Sequence, residues 1–188
     1  MKLVNFNQRL ALFLTIGAFL LFNPSKVLAD DERTYTIRSV NIEADVRTDG
    51  SMDVSEQRIY DFNGDFKFAY QVIEKEPDQK IDPGRTEPYQ IRVKSVCDES
   101  QCYRFIDPTK VDFDNRRNNP PYTFTTFQNK NEVYIQWHYF AEDTSKVFTV
   151  NYLVDNAVTL HSDVAEIYWQ FVGREWDVYQ RNVAVNVY

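Results

Sequence analysis

Residues 34–62 read TYTIRSVNIEADVRTDGSMDVSEQRIYDF, and this stretch decides the fold. Apolar and polar residues alternate along both of its halves, a period typical of strands with one buried face. The alternation slips by one residue at Ser39-Val40, which predicts a β-bulge. Asp49-Gly50 tolerates positive φ and predicts a tight turn. We therefore predict a hairpin of two long strands.

Two charged residues interrupt the apolar face of this hairpin. Glu56 and Arg58 lie in phase with Met52, Val54 and Tyr60, so the pattern directs them inward. An unpaired carboxylate is costly to bury. We therefore expect Glu56 to pair with Arg58 or with a backbone amide, near the edge of a sheet.

The same alternation continues through the rest of the chain. It predicts a second hairpin over residues 132–154, a strand at residues 167–171 and a last strand from Val183 to Val187. About nine strands, frequent turns and no long helix are typical of an antiparallel β-sandwich. We predict an all-β, immunoglobulin-like sandwich that forms a single domain over residues 30–188.

The N-terminus is predicted to be a signal peptide, helical in its apolar part. Lys2 and Arg9 precede an apolar run from Leu10 to Phe22. Val27-Leu28-Ala29 then offers small residues to a signal peptidase. The run is shorter than the about 20 residues that a membrane-spanning helix needs. We expect residues 1–29 to be cleaved and the rest to be exported; an uncleaved anchor is the alternative.

Composition excludes several functions. The formal net charge of −7 disfavours nucleic acid as a partner. Only Cys97 and Cys102 carry thiols; a disulfide at a hairpin tip is the main interpretation, and free thiols are the alternative. His138 and His161 lie too far away in sequence to suggest a metal site. We predict no metal or other cofactor, and we place His138, out of phase with Trp137, on a solvent-facing side.

Catalytic signals are weak, and we lean towards a domain that is not an enzyme. Glycoside hydrolysis needs two converging carboxylates. Glu166, Glu175 and Asp177, close to Trp169 and Trp176, form the best such group. The competing interpretation buries both tryptophans in the core and leaves the acids in solvent.

The end of the chain resembles a known family. Glu166-Ile167-Tyr168-Trp169 followed by Gly173-Arg174-Glu175-Trp176 is similar to the segment that ends the N-terminal domain of the DUF2207 family of predicted bacterial membrane proteins. The family's opening hairpin is similar to Tyr35-Thr36-Ile37, Asp49-Gly50-Ser51, Val54-Ser55-Glu56 and Tyr60-Asp61-Phe62. The chain departs from the family at Tyr179-Gln180, where a Pro-Ile pair is expected.

The resemblance implies an exported β-sandwich in front of transmembrane helices, and it implies no reaction. We expect the ectodomain of a cell-envelope protein at the extracellular face of the membrane. It would be truncated at Tyr188, before a membrane segment that this chain lacks. Its contacts would be protein or glycan at the cell surface. The alternatives are a free secreted binding domain and an enzyme acting on envelope carbohydrate.

Six residues define the candidate binding site, although a structural role is the simpler interpretation of each. Gly173 is predicted to supply a turn with positive φ before Trp176. The six are Glu56, Glu166, Tyr168, Trp169, Gly173 and Trp176.

Overall fold

The computed structural model describes residues 33–77, 80, 84–85, 87–173 and 176–188. The predicted signal peptide, residues 1–29, lies outside the described residues. Within the described part, no helix has the length and apolar character that crossing a membrane requires.

The described residues fold almost entirely into β-structure, with eleven strands and two short 3-10 helices. The helices span Pro108–Lys110 and Arg116–Asn118. The strands are β1 (Thr34–Val46), β2 (Met52–Asn63), β3 (Asp65–Glu74), β4 (Gln90–Asp98), β5 (Arg104–Phe105), β6 (Thr123–Gln128), β7 (Glu132–Glu142), β8 (Ser145–Asp155), β9 (Val158–Leu160), β10 (Ala165–Ile167) and β11 (Val183–Val187).

The strands form three sheets. The larger two have the orders β11-β1-β2-β8-β4 and β3-β7-β6-β5, and β10 pairs with β9. Two pairs are parallel, β1 with β11 and β5 with β6. The sheets are therefore mixed, although the other strand pairs are antiparallel, as the predicted sandwich requires. The immunoglobulin-like arrangement stays a prediction.

The opening hairpin is confirmed. β1 and β2 pair antiparallel from end to end, and their register shifts between Ile37 and Ser39, which is the predicted bulge. Gly50 has a φ of 80°, as its turn requires. Glu56 and Arg58 do point inward, but the prediction of a sheet edge is wrong, because β2 lies between β1 and β8.

The second hairpin is wrong in its pairing. β7 and β8 are both present, yet β7 pairs with β3 and β6, whereas β8 pairs with β2 and β4. The turn at Asp143, which has a φ of 46°, carries the chain from one sheet to the other. The apolar faces of the two strands then face each other: the Phe148 ring lies 5.6 Å from Trp137 and 4.6 Å from Tyr139.

The segment that contains Cys97 and Cys102 also crosses from one sheet to the other. Cys97 and Cys102 form a disulfide, as predicted, and Tyr103 donates its backbone N–H to the carbonyl of Val96. The chain does not return along β4, however. It crosses to the second sheet and pairs there as β5 with β6.

The outer face of the four-stranded sheet is partly covered by the loop of residues 106–122. Phe113 packs against Phe127 and Tyr134, with ring centroids 5.7 and 6.5 Å away. Our placement of His138 in solvent is therefore wrong: it is 1 % exposed. Periodicity assigned it correctly to the outer face, but that face is buried at His138. Its ring contacts the Thr123 hydroxyl at 3.0 Å.

Candidate functional site

A charged cluster lies between the two large sheets, at the middle of β2. The Glu56 carboxylate accepts three hydrogen bonds: from Tyr152 Oη at 2.5 Å, from Gln71 Nε2 at 2.7 Å and from Arg58 Nη1 at 2.5 Å. These donors come from β8, β3 and β2. The expected pairing of Glu56 with Arg58 is thus confirmed, and the carboxylate is satisfied although it is only 2 % exposed.

Arg58 is buried, but the described residues do not satisfy all of its hydrogen-bond donors. Its Nε donates to Gln180 Oε1 at 3.2 Å, and its guanidinium lies 4.6 Å from the Trp176 ring centroid, a cation–π contact. Its Nη2 is buried and has no hydrogen-bond partner in the part of the chain that the structure describes. Burial lowers the pKa of Arg58, but the Glu56 carboxylate and the nearby Tyr60 and Tyr152 together raise it by more. The pKa therefore lies above its ordinary value.

The Tyr152 hydroxyl is held as a donor. Burial raises the pKa of Tyr152 well above its ordinary value, and the Glu56 carboxylate raises it further. The Trp169 indole lowers this pKa, although its N–H lacks the geometry of a regular hydrogen bond to any described residue. Tyr152 therefore stays protonated and keeps donating to Glu56 at physiological pH.

The Trp-bearing segment, residues 166–173 and Trp176, closes the open side of this cluster. The Trp169 ring is partly buried and meets Tyr89 edge-on at 5.1 Å. Tyr89 in turn donates from its hydroxyl to the backbone carbonyl of Tyr168 at 2.5 Å. The predicted strand at residues 167–171 is largely wrong, since β10 ends at Ile167 and the following residues run irregularly over the sandwich edge.

Gly173 does not have the predicted positive φ; among the described glycines, Gly50 and Gly64 do. A Cβ at Gly173 would lie 3.5 Å from Trp176 Nε1 and 3.7 Å from the carbonyl oxygen of Val72, which are ordinary contacts. Gly173 therefore lies close between β3 and Trp176 and does not make a left-handed turn.

A cavity of about 620 Å³ adjoins the charged cluster, between the end of β3 and residues 167–173. Four of the six predicted site residues line it: Glu56, Tyr168, Trp169 and Gly173. Trp176 does not, but it covers Arg58. Glu166 is elsewhere, in the β9–β10 hairpin, where its carboxylate lies 2.9 Å from His161 Nε2.

The three candidate carboxylates are not assembled by any described contact. Glu166 faces His161. Asp177 is exposed and lies near Tyr35. Burial raises the pKa of Tyr35, and the negative charge of Asp177 raises it further. Glu175 lies outside the described residues. Within those residues, no three His, Cys, Asp or Glu side chains converge as they would around a metal ion.

Sequence reasoning missed the wall and rim of the cavity. Gln71 lines it from β3 and Tyr89 from the position before β4, both far away in sequence from the Trp-bearing end. Glu74 and Glu76 lie exposed at the end of β3. The only local signal was the pair of acids that flanks Lys75. Because side chains alternate along a strand, Lys75 points away from these two acids. Its Nζ donates to the Gln128 side chain and to the backbone carbonyl of Asn129.

The family model for the N-terminal domain of predicted membrane proteins (DUF2207) matches residues 36–188. The chain belongs to the DUF2207 family. The match includes both segments that carried the resemblance, the opening hairpin and the Trp-bearing end. In this DUF2207 domain, the Trp-bearing end supplies one wall of the cavity and the opening hairpin supplies Glu56.

Other comparisons are more distant. No curated protein matches the DUF2207 chain. Six chains of solved structures do. A two-domain M1 zinc metallopeptidase variant bound to L-tryptophan is 8 % identical over 68 % of this chain, with a TM-score of 0.34. An M1 zinc metallopeptidase variant from Deinococcus radiodurans, bound to a Tyr-Ser-Ala substrate, is 8 % identical over 66 %, with a TM-score of 0.30. The chain spans about a fifth of these proteins, 22 % and 21 %.

Proposed function

We propose that this domain is a non-catalytic ligand-binding ectodomain of a cell-envelope membrane protein, exposed at the extracellular face and immunoglobulin-like in architecture. Three observations support the proposal. The family is one of predicted membrane proteins. The first 29 residues have the order of a signal peptide. The Cys97–Cys102 disulfide is of a kind that persists outside the cytoplasm.

The observation that carries the binding role is the cavity beside Glu56. Ligand sites are typically concave, with apolar and aromatic walls and a few fixed polar groups. Here the aromatic walls come from Tyr89, Tyr168 and Trp169. The fixed polar groups are Glu56 and Gln71, which are locked by the hydrogen bonds of the charged cluster. A protein or a glycan at the cell surface would supply the ligand group.

The test compares two exposed tyrosines of the same segment. Tyr168 lines the cavity and is 37 % exposed, whereas Tyr179 does not line it and is 93 % exposed. The full chain is incubated with isolated cell envelopes, and the retained fraction is measured. Tyr168→Ala should lower the apparent affinity about tenfold, since aromatic residues dominate binding energies, and Tyr179→Ala should leave it unchanged.

Thermal melts of both variants establish that they are folded. Equal retention of Tyr168→Ala and the unsubstituted chain would show that the cavity binds nothing in the envelope. Equal loss in both variants would point to an unspecific effect of removing a surface ring, and it would also contradict the proposal.

A separate experiment addresses orientation. Protease added to intact cells should cleave the domain if it lies at the extracellular face. Protection of the domain until the membrane is permeabilised would contradict that placement.

A further inference from the structure

The cavity is unusually one-sided in charge. Three glutamates line it, Glu56, Glu74 and Glu76, whereas its described lining contains no Lys, Arg or His. The first of these charges is compensated by Arg58 at 2.5 Å. The other two are not: neither Glu74 nor Glu76 has an ion pair or hydrogen bond with any described residue.

The strand register adds a second source of negative charge. Glu74 on β3 lies directly opposite Glu132 on β7, at the last paired position of the two strands. Like charges directly opposite each other destabilise a sheet. Lys75 could have relieved them, but its ammonium is engaged by Gln128 and Asn129 on the other side of the strand. The rim therefore keeps a repulsion that a bound cation would remove.

The aromatic walls of the cavity also favour a cation, in addition to the carboxylates of the rim. Tyr89, Tyr168, Trp169 and Phe171 present four aromatic rings, whose faces attract positive charge. The molecule already uses its rings in this way, because Arg58 stacks on Trp176 at 4.6 Å and Arg85 stacks on Tyr89 at 4.4 Å. Tyr168 and Trp169 have no such internal cation among the described residues, so these two rings are available to a ligand.

We propose that the cavity recognises a primary ammonium group, which the rim carboxylates of Glu74 and Glu76 and the rings of Tyr168 and Trp169 hold together. This inference rests on the proposed function, since it names the chemistry of the ligand that the cavity takes. An anionic ligand would meet uncompensated carboxylates at the entrance. A neutral glycan would use the rings but would leave the rim charges unrelieved.

The experiment uses matched small probes on the full chain. Nα-acetyl-L-lysine methylamide carries the ammonium, and Nα-acetyl-L-norleucine methylamide has the same backbone and a similar chain without it. n-Butylammonium separates a free amine from a lysine in a peptide. Isothermal titration calorimetry measures the affinity of each probe. The lysine probe should bind at least about tenfold more tightly than the norleucine probe, and more weakly as salt increases.

Charge-matched variants assign the effect to the rim. Glu74→Gln/Glu76→Gln removes two charges at the cavity, and Glu43→Gln/Asp45→Asn removes two from the exposed face of β1. The rim variant should bind the lysine probe about fivefold more weakly, a modest loss because exposed ion pairs are weak. The β1 variant should bind it as the unsubstituted chain does. Equal weakening in both variants would mean that net charge alone attracts the probe, and the inference would fall.

The failures of the two proposals can be told apart. Equal affinity for the lysine and norleucine probes would overturn the ammonium inference and leave a binding cavity in place. No binding of any probe would also overturn it, while envelope retention that still depends on Tyr168 would keep the proposed function. Loss of both responses would overturn both. If n-butylammonium matches the lysine probe, the inference holds for any amine; if the lysine probe alone binds, it holds for peptides.

Discussion

The cluster around Glu56 and the cluster around His138 are both buried, yet they treat charge in opposite ways. Glu56 and Arg58 are each 2 % exposed and face each other as ions 2.5 Å apart. His138 is 1 % exposed and is faced by the Thr123 hydroxyl and the Gln136 amide, which carry no charge. Burial lowers the pKa of His138 to about 4, so its ring is neutral.

The difference shows what each location permits. Between the sheets, the side chains of β2 supply both signs of charge two residues apart, so their mutual attraction offsets part of the desolvation cost. Under the loop of residues 106–122, no opposite charge contacts His138 among the described residues, and the ring gives up its proton. The charged cluster also adjoins the cavity, whereas the neutral cluster contacts the loop, because the Thr123 hydroxyl donates to the carbonyl of Pro120. Four measurements test this contrast.

The largest effect is expected from Glu56→Ala. It leaves the Arg58 guanidinium buried with no counter-ion, and breaking a buried pair in this way costs about 3–5 kcal/mol. Urea unfolding monitored by circular dichroism measures the loss. The double variant Glu56→Leu/Arg58→Met removes both charges and should recover most of the stability. A double variant as unstable as the single one would show that packing, not charge, makes Glu56 important.

The second effect is a pH dependence that originates in the neutral cluster. The folded-state pKa of His138, about 4, lies below its ordinary value of 6.5, so the unfolded chain binds more protons between these two pH values. The stabilisation is fully present above pH 6.5 and is lost as the pH falls towards 4. It amounts to about 3–4 kcal/mol, at about 1.4 kcal/mol for each unit of pKa.

His138→Gln should flatten the stability profile between pH 6.5 and pH 4, measured as the urea midpoint at each pH. His161→Gln is the matched control, because His161 is exposed and pairs only with Glu166 among the described residues. A profile that keeps its slope in His138→Gln, or loses it in His161→Gln, would contradict the assignment to the buried ring.

The third effect compares two tyrosine hydroxyls. Tyr152 donates to the Glu56 carboxylate at 2.5 Å, whereas Tyr139 donates to the backbone carbonyl of Phe68 at 3.2 Å. Hydrogen bonds to charged groups are stronger than those to neutral acceptors. Tyr152→Phe should therefore cost about 2 kcal/mol and Tyr139→Phe about 1 kcal/mol in unfolding free energy. Equal costs would indicate that the Glu56 carboxylate is not acting as an ion.

The sequence could predict the inward direction of Glu56 and Arg58, because a period of two residues is a local property of β2. It could not place β2 between two neighbours, since β8 arrives from a distant part of the chain. The sequence could not predict the crossing at the β7–β8 turn for the same reason. The turn residues look alike whether the chain stays in one sheet or crosses to the other. His138 was assigned to the correct face, but its burial depends on a loop that precedes β6.

The candidate site was predictable where it follows from motifs. Glu56, Tyr168, Trp169 and Gly173 were named from the family-like segments, and all four line the cavity. Glu166 belongs to the same motif but points to His161, because β10 pairs with β9 and turns it away. Tyr89 and Gln71 were not predicted as site residues. In the sequence, each fits the ordinary alternation of a strand, and only the packing of residues 167–173 beside them makes them part of a cavity.

The smallest effect is expected from Gly173→Ala, beside the ring that covers Arg58. A methyl group there meets Trp176 Nε1 at 3.5 Å and has no left-handed backbone to strain, so the free energy of unfolding should change by less than about 0.5 kcal/mol. Gly64→Ala is the comparison, because Gly64 has a φ of +92° and its added Cβ would lie 2.8 Å from Arg33 Cγ. That variant should cost about 1 kcal/mol or more. If Gly173→Ala proves the more damaging of the two, then the cover over the charged cluster is packed more tightly than the glycine contacts indicate, and the stability of the Glu56–Arg58 pair depends on Trp176 as well as on hydrogen bonds.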